Sequence, residues 1–236
     1  MDWRDEGFLL SVTPHGETSA RIEVFTGLHG RHAGIVRGGL SRRMAPVLQP
    51  GAQLDLAWRA RLHDHLGTFT PELMRARAGP VLGDRLALAA LSSACALCRY
   101  ALPERMAYPG LYAASVAMLD SLGQPGWLRE YARWELVLLE ETGFGLDLDQ
   151  CAVTGAREGL AYVSPRTGRA VTEAAAGEFA ARLLVLPQAL VSDAAFDHVT
   201  ARAALHLSGH FLHHWLAEAM GRPLPEARAR LVAALG

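Results

Sequence analysis

The sequence predicts an α+β fold in which a small antiparallel β-barrel precedes a helical region. Up to about residue 77, apolar and polar residues alternate in short runs separated by Gly, Pro and other turn residues, as in β-strands. After Gly79-Pro80, apolar residues recur with a helical period instead. The chain has 236 residues, enough for two domains. We predict a barrel domain at 1–79 and an all-helical domain at 80–236, with a small irregular insertion at about 146–172.

Five runs in the first segment have the alternation expected of strands. Five short antiparallel strands in so short a segment suit a Greek-key barrel of the oligonucleotide-binding (OB) type, although an SH3-like barrel gives the same pattern. The predicted strands are 8–12, 20–26, 32–36, 53–62 and a fifth within 65–77.

Three helices are predicted beyond the barrel. The first, at 82–102, is apolar on most sides and is expected to be buried. The second covers 106–122 and stops before Gly123 and Pro125. The third covers 127–141 and ends at Gly143.

The segment from Gly30 to Gly51 carries the clearest functional signal in the barrel domain. No acidic residue lies between Arg31 and Gly51, so its arginines require a polyanion or a buried carboxylate as a partner, unless they are simply solvated. Two more arginines on the polar face of the next strand make six, against the single acid Asp55. Aromatic residues are sparse there, which favours contacts to phosphates over base stacking. The predicted DNA-binding residues are Arg31, Arg37, Arg42, Arg43, Arg59 and Arg61.

Composition excludes several classes of protein and chemistry. A formal net charge of −1 is incompatible with a uniformly basic nucleic-acid coat. All 23 basic residues other than histidine are arginine, so Walker-type phosphate loops and lysine nucleophiles are excluded. Three cysteines do not make a secreted disulfide framework, and the apolar run at 86–98 is too short for a membrane helix. We therefore expect a cytoplasmic protein without membrane contact.

Two blocks of motifs stand out in the sequence. They contain Gly16-Glu17-Thr18-Ser19, Val24-Phe25-Thr26, Gly30-Arg31, Val36-Arg37-Gly38-Gly39-Leu40-Ser41-Arg42-Arg43, Leu48-Gln49-Pro50, Arg133-Trp134-Glu135-Leu136 and Thr142 to Cys151. In order and spacing, over roughly residues 5 to 170, these motifs resemble those of the bacterial DNA repair protein RecO family.

The resemblance implies a barrel followed by a helical domain, and a non-enzymatic recombination mediator without a cofactor. Such proteins bind single- and double-stranded DNA and anneal complementary strands. With RecR they help load the RecA recombinase onto DNA coated by single-strand binding protein. The resemblance therefore implies a location at the nucleoid.

Many family members carry a zinc module that begins at the position of Cys151. Here position 154 is threonine and no further cysteine follows, so four ligands cannot be assembled and we predict no zinc. Cys95 and Cys98 have ligand spacing but lie in an apolar helical run, which favours core cysteines. His206 and His210 share a helix face, so the sequence does not exclude a metal site formed by these histidines.

A candidate partner-binding site lies on the third predicted helix. Arg129 and Arg133 are four residues apart and Trp134 is adjacent, a combination that suits a short acidic peptide with an aromatic end. The resemblance suggests the C-terminal tail of single-strand binding protein as this ligand. The alternative is a tryptophan that packs between helices, with surface arginines beside it.

Two other functions remain open on the sequence alone. The chain could be an adaptor whose basic loop docks an acidic partner, with DNA binding only incidental. It could also be a small metal-dependent hydrolase that uses the histidine-rich helix, which requires a bound metal.

Overall fold

A computed structural model describes residues 1–62, 65–192 and 194–236. These residues form two compact units. The first consists of Met1–Gly123 with Pro225–Ala234, and the second of Gln124–Leu224 with Leu235–Gly236.

Five strands of the first unit form a closed barrel. They are β1 (Asp2–His15), β2 (Ser19–Thr26), β3 (Gly30–Val36), β4 (Gln53–Arg59) and β5 (Thr68–Arg75). Their order around the barrel is β1-β2-β3-β5-β4. All neighbours are antiparallel except β3 and β5, which pair in parallel where Ile35 meets Thr68. The prediction of five strands is confirmed, with β1 extending well beyond the predicted 8–12. The prediction that the fourth strand reaches residue 62 is wrong: β4 ends at Arg59, so Arg61 lies beyond the strand and Leu62 is exposed.

The barrel interior is filled by the apolar residues of the alternating pattern. On β4, Leu54, Leu56 and Trp58 are buried, whereas Ala57 and Arg59 between and beyond them are exposed. Successive side chains of a strand point to opposite faces, so the alternation read along the sequence gives the inside and the outside directly. The rest of this core comes mainly from β1, β2, β3 and β5.

Three helices belong to the first unit beside the barrel. They are α1 (Arg85–Ala101), α2 (Pro109–Ser121) and α8 (Glu226–Ala234), with a short 3₁₀ turn at Gly79–Val81. The Asp84 side chain caps the start of α1 by accepting hydrogen bonds from two backbone amides, those of Leu86 and Ala87. α1 packs on β1, and α8 packs on α1.

The predicted domain boundary after residue 79 falls inside this first unit. α1 and α2 contact the barrel strands directly, for example where the Gln53 side chain donates a 2.8 Å hydrogen bond to the Tyr112 hydroxyl. The predicted division therefore separates strands from helices, whereas the compact units divide after Gly123.

The second unit contains α3 (Trp127–Glu141) and α6 (His198–Phe211), which pack together, and a π-helical segment at Leu212–Ala217 that continues α6. Three short helices also belong to it: α4 (Glu173–Ala176), α5 (Gln188–Val191) and α7 (Glu218–Met220). A 3₁₀ segment lies at Gly177–Arg182.

The prediction of an all-helical second domain with an irregular insertion is wrong in one respect. β6 (Leu160–Val163), β7 (Ala170–Thr172) and β8 (Leu184–Val185) form an antiparallel sheet in the order β7-β6-β8. These strands have two to four residues, too few for alternation to be recognised in the sequence.

No helix among the described residues is both long enough and apolar enough to cross a membrane.

Candidate nucleic-acid interface

The strand register brings basic residues from separate strands onto one outer face of the barrel. Arg59 on β4 pairs with Thr68 on β5, Thr68 pairs with Ile35 on β3, and Ile35 pairs with Arg21 on β2. Residues in one such row lie on the same face of the sheet. Arg37 directly follows the last residue of β3 and is exposed.

The chain segment that connects β3 to β4 begins beside this outer face of the barrel. It forms successive turns, with amides of Met44 and Ala45 donating to the Ser41 carbonyl. Leu40 donates to the Thr18 carbonyl at 3.0 Å, which ties the connection to the β1–β2 turn. Arg42 and Arg43 are exposed on it.

Five of the six predicted arginines are both exposed and without a described partner. Their side chains are exposed, and they make no hydrogen bond or ion pair with any residue that the structure describes. Unpaired guanidinium groups on a folded surface are available to phosphate oxygens. These five are Arg37, Arg42, Arg43, Arg59 and Arg61.

Arg31 has a different environment from the other predicted residues. Its Nη1 lies 2.8 Å from Oε2 of Glu23, and its Nε donates a 2.8 Å hydrogen bond to the Leu102 carbonyl. The side chain is only 16% exposed. The buried carboxylate that the sequence left open as a partner is therefore present for this arginine, so its guanidinium is already occupied within the protein.

Glu23 is the centre of a buried charged cluster. Only 3% of the residue is exposed, and Arg21 at 3.3 Å and Arg99 at 3.2 Å pair with the same carboxylate as Arg31. A buried carboxylate is stable only when it is paired and hydrogen-bonded, which these three guanidinium groups achieve. We name Glu23, Arg21, Arg31 and Arg99 the Glu23 cluster. The sequence carries no local signal for this cluster, because α1, which carries Arg99, is distant in the sequence from β2.

Asp55, the one acid among the six arginines, is also paired. Arg4 on β1 binds it through Nε at 2.9 and 3.1 Å and through Nη2. The hydrogen bonds from Arg4 lower the pKa of the Asp55 carboxyl below its usual value. Because Arg4 lies outside the arginine-rich segment, Asp55 is satisfied without any of the five exposed arginines.

Aromatic rings gather at the barrel end where β1 begins. Trp3 and His29 stack with centroids 4.1 Å apart and planes 7° apart, and Trp58 lies on Trp3 at 5.7 Å. His32 and Phe69 meet Trp3 edge-on. The expectation that stacking is sparse missed this cluster, because Trp3 and His29 are 26 residues apart and have no shared motif.

The candidate partner site on α3 is only partly at the surface. Trp134 is 2% exposed and packs near Tyr131, with ring centroids 5.6 Å apart. This burial favours the interpretation of Trp134 as a packing residue, because a ring inside the core cannot anchor a bound peptide. Arg133 Nε donates to the Leu190 carbonyl at 3.2 Å, and Arg129 donates to the Ala194 carbonyl and lies 5.5 Å from the Phe196 ring.

The cysteine and histidine candidates occupy separate environments. Cys95 and Cys98 are buried in α1, as expected of core cysteines, and Cys151 is buried beside Thr172. His210 lies 4.5 Å from His214 by ring centroids, with its Nε2 3.4 Å from the Pro165 carbonyl. Across residues 1–62, 65–192 and 194–236, no three His, Cys, Asp or Glu side chains converge as a metal site.

Comparison with known proteins identifies the family. The model described as "Recombination protein O N terminal" matches residues 1–77, and "Recombination protein O C terminal" matches residues 82–226. The chain belongs to the RecO family. The expected resemblance is thereby confirmed and reaches well beyond residue 170, to which the sequence motifs extended.

RecO relatives match over nearly the full length. A protein named "DNA repair protein RecO" from Cereibacter sphaeroides is 60% identical, with 98% of this chain and 97% of that protein covered. Proteins of the same name from Dinoroseobacter shibae and a Ruegeria species are 59% and 58% identical, covering 98% and 100% of this chain and 97% and 98% of their own lengths.

Proposed function

We propose that this chain acts in DNA repair and homologous recombination as a non-enzymatic mediator that binds single- and double-stranded DNA. Membership of the RecO family and the name of the relatives, DNA repair protein, support this role. The proposed place of action is the cytoplasm, at the nucleoid.

The barrel is proposed to be of the OB type. Its strand order, β1-β2-β3-β5-β4 with a parallel β3–β5 contact, supports this assignment, since OB barrels are five-stranded Greek-key barrels that bind oligonucleotides. In such barrels the strands and the loops around them hold the nucleic-acid backbone.

The exposed arginines without a described partner carry the proposal. Arginine forms two parallel hydrogen bonds to a phosphate group, and release of counterions from DNA then supplies the binding free energy. The backbone is the same for every sequence, so binding is tolerant of sequence and strongly dependent on salt. The five residues are Arg37, Arg42, Arg43, Arg59 and Arg61, and Arg31 is set aside because Glu23 occupies it.

Strand annealing follows from the same contacts. A protein that neutralises phosphates without reading base edges lowers the repulsion between two strands and leaves most Watson–Crick edges free to pair. The proposed mediator then acts with RecR to load RecA onto DNA covered by single-strand binding protein.

The helical unit is proposed to hold the acidic C-terminal tail of single-strand binding protein. Arg129 and Arg133 supply positive charge on α3, beside the carbonyl groups of residues 190 and 194. Trp134 is left out of the contact because it is buried. The Arg133→Ala variant is expected to weaken binding of a labelled acidic tail peptide and to leave DNA binding unchanged.

The test of DNA binding is a fluorescence-anisotropy titration of a labelled single strand at several salt concentrations. The variant is the double substitution Arg42→Ala/Arg43→Ala. If each arginine neutralises one phosphate, the slope of log affinity against log salt falls in magnitude by about 1.4, or about 0.7 per contact on single strands. The same titration with a labelled DNA duplex tests binding to double-stranded DNA.

The matched control is Arg157→Ala/Arg166→Ala, which removes two exposed arginines from the second unit. An unchanged slope in this control assigns the effect to the barrel. Equal losses in both variants contradict the proposed site, since net charge alone then explains binding. A slope unaffected by the barrel variant, together with weak binding, favours the adaptor function instead.

A further inference from the structure

We propose that the pocket at the end of the barrel binds one base of single-stranded DNA. The pocket has a volume of about 480 Å³, within the range of about 300–1,000 Å³ typical of small-molecule sites. This inference rests on the proposed DNA binding and adds a base contact to the phosphate contacts. We name it the ring pocket; its lining includes Trp3, Leu28, His29, His32, Trp58 and Arg105.

The rings of the pocket form a stack that ends at the surface. Trp58, Trp3 and His29 lie in sequence, with interplanar angles of 21° and 7°, and His29 is the outermost ring. The His29 side chain is 31% exposed and Leu28 beside it is 72% exposed. A stack of aromatic rings that reaches solvent is the platform on which single-stranded bases bind, because every base presents a π-face.

Asp5 holds His29 in this orientation. The Nδ1 atom of His29 lies 3.1 Å from Oδ2 of Asp5, and the Leu28 amide donates to the same oxygen at 3.1 Å. A carboxylate can only accept these hydrogen bonds, so Nδ1 carries the proton. The tip of the β2–β3 turn is therefore fixed before any ligand arrives, which lowers the entropic cost of binding.

Arg105 is placed at the pocket at a conformational cost. It has a φ of +62°, a left-handed backbone that residues other than glycine rarely adopt. Its amide donates to the Arg31 carbonyl at 2.8 Å, and its Nη2 donates to the His65 carbonyl at 3.0 Å. Strained backbone of this kind concentrates at ligand sites, and here it brings a guanidinium group to the ring pocket.

The charges around the pocket favour a base inside and a phosphate at the rim. Asp2 lines the pocket and Asp5 contacts the His29 ring of its lining, and these carboxylates disfavour burial of a second anion. Arg59 is exposed, follows Trp58 directly and is paired in register with Asp2. A nucleotide whose base stacks on the outer face of His29 then leaves its phosphate near Arg59, one of the five arginines proposed for the backbone.

The experiment compares two labelled strands of equal length, an oligothymidylate and a strand whose sugars carry no bases. Their phosphate charge is identical, so a difference in affinity reports base contacts alone. The full chain is expected to bind the oligothymidylate about tenfold more tightly, the effect of stacking one base on an aromatic side chain. Emission of Trp3 and Trp58 is expected to be quenched by the oligothymidylate only.

His29→Ala is expected to remove this preference and to leave affinity for the strand without bases unchanged. His29→Phe restores a ring and is expected to restore the preference. The matched control is His15→Ala, which removes an exposed histidine at the opposite end of β1. Thermal unfolding verifies that each variant is folded.

The outcomes separate this inference from the proposed function. Equal binding of both strands by the unmodified chain overturns the base contact and leaves phosphate binding intact. A preference that survives in His29→Ala also overturns it, since the bases then bind elsewhere. Failure to bind either strand overturns the proposed function itself.

Discussion

Two arginine-rich regions of the barrel differ in what faces their guanidinium groups. In the Glu23 cluster, three arginines converge on one buried carboxylate, and Arg31 also donates to a backbone carbonyl. In the β3–β4 connection, Arg42 and Arg43 are exposed and make no ion pair with any acid that the structure describes. The first region uses arginine to stabilise the fold, and the second leaves arginine available to a ligand. A count of charges along the sequence cannot separate these roles, because a buried acid on another element decides them.

The largest effect on stability is expected from Glu23→Gln. It leaves three guanidinium groups around a neutral amide, and loss of one partner from a fully buried ion pair costs about 3–5 kcal/mol. Arg21 and Arg99 are partly exposed, so water compensates in part and we expect a loss of about 2 kcal/mol in the free energy of unfolding. Urea unfolding measures it, with the exposed Glu17→Gln as control. A variant as stable as the original would make the Glu23 cluster energetically unimportant.

Arg31→Ala is expected to give the next largest effect. Glu23 keeps two of its arginines, but the Leu102 carbonyl loses its donor, which costs about 1 kcal/mol. The salt slope for single-stranded DNA should stay unchanged. Arg42→Ala should show the reverse, with a reduced slope and a stability within about 0.5 kcal/mol of the original. If Arg31→Ala reduces the slope as much as Arg42→Ala does, the distinction between the two regions fails.

Cys151 provides a third case for comparison with the two arginine-rich regions. Here the anion is a thiolate, and neutral hydrogen-bond donors stabilise it in place of arginines. Burial opposes its ionisation, but hydrogen bonds from the Thr154 hydroxyl and from the backbone amides of Thr172, Thr154 and Val153 lower the pKa to about 6. An unfolded cysteine has a pKa of about 8.5. The thiolate therefore stabilises the fold fully above about pH 8.5, and this contribution is lost as the pH falls through about 6.

The free energy of unfolding, measured from pH 9 to pH 6, should fall more in the original chain than in Cys151→Ser. Thiolate absorbance should titrate near pH 6 and disappear in the variant. The other two thiols are internal controls, because burial raises the pKa of Cys95 to about 12 and that of Cys98 well above its usual value. Identical pH profiles for the two proteins would show that Cys151 stays protonated.

The smallest effect is expected from Arg37→Ala. One phosphate contact corresponds to a change of about 0.7 in the salt slope on single strands. Stability should not change, because the residue is exposed and has no described partner. Salt-dependent anisotropy measures the slope, with Arg157→Ala as the single-charge control. A loss of stability in Arg37→Ala would assign this residue to the structural group with Arg31.

The sequence was sufficient for the barrel because its signal is local. Alternation along β2 and β4 identifies strands and their inner faces, and the helical period predicts α1, α2 and α3 to within a few residues. The small sheet of β6, β7 and β8 was missed because its strands are too short to show a period. These elements are held by contacts that no single window of sequence contains.

Only part of the candidate nucleic-acid interface could be predicted, because only part of its signal is local in the sequence. Exposure of Arg42 and Arg43 follows from a turn-rich segment without acids, which is a local property. The pairing of Arg31 with Glu23 depends on β2–β3 packing against the end of α1. The ring pocket depends on Trp3, His29 and Trp58, which three different parts of the barrel bring together. Burial likewise removes Trp134 from a surface role that its position beside Arg133 suggested.

The position of α8 has a consequence for the order in which the chain is completed on the ribosome. This helix belongs to the same compact unit as the barrel and packs on α1, burying Ala227 and Leu231, yet all of residues 124–224 precede it in the chain. Translation therefore delivers the last piece of the first unit only after the second has been synthesised. Until then α1 lacks the cover that α8 gives it in the folded unit.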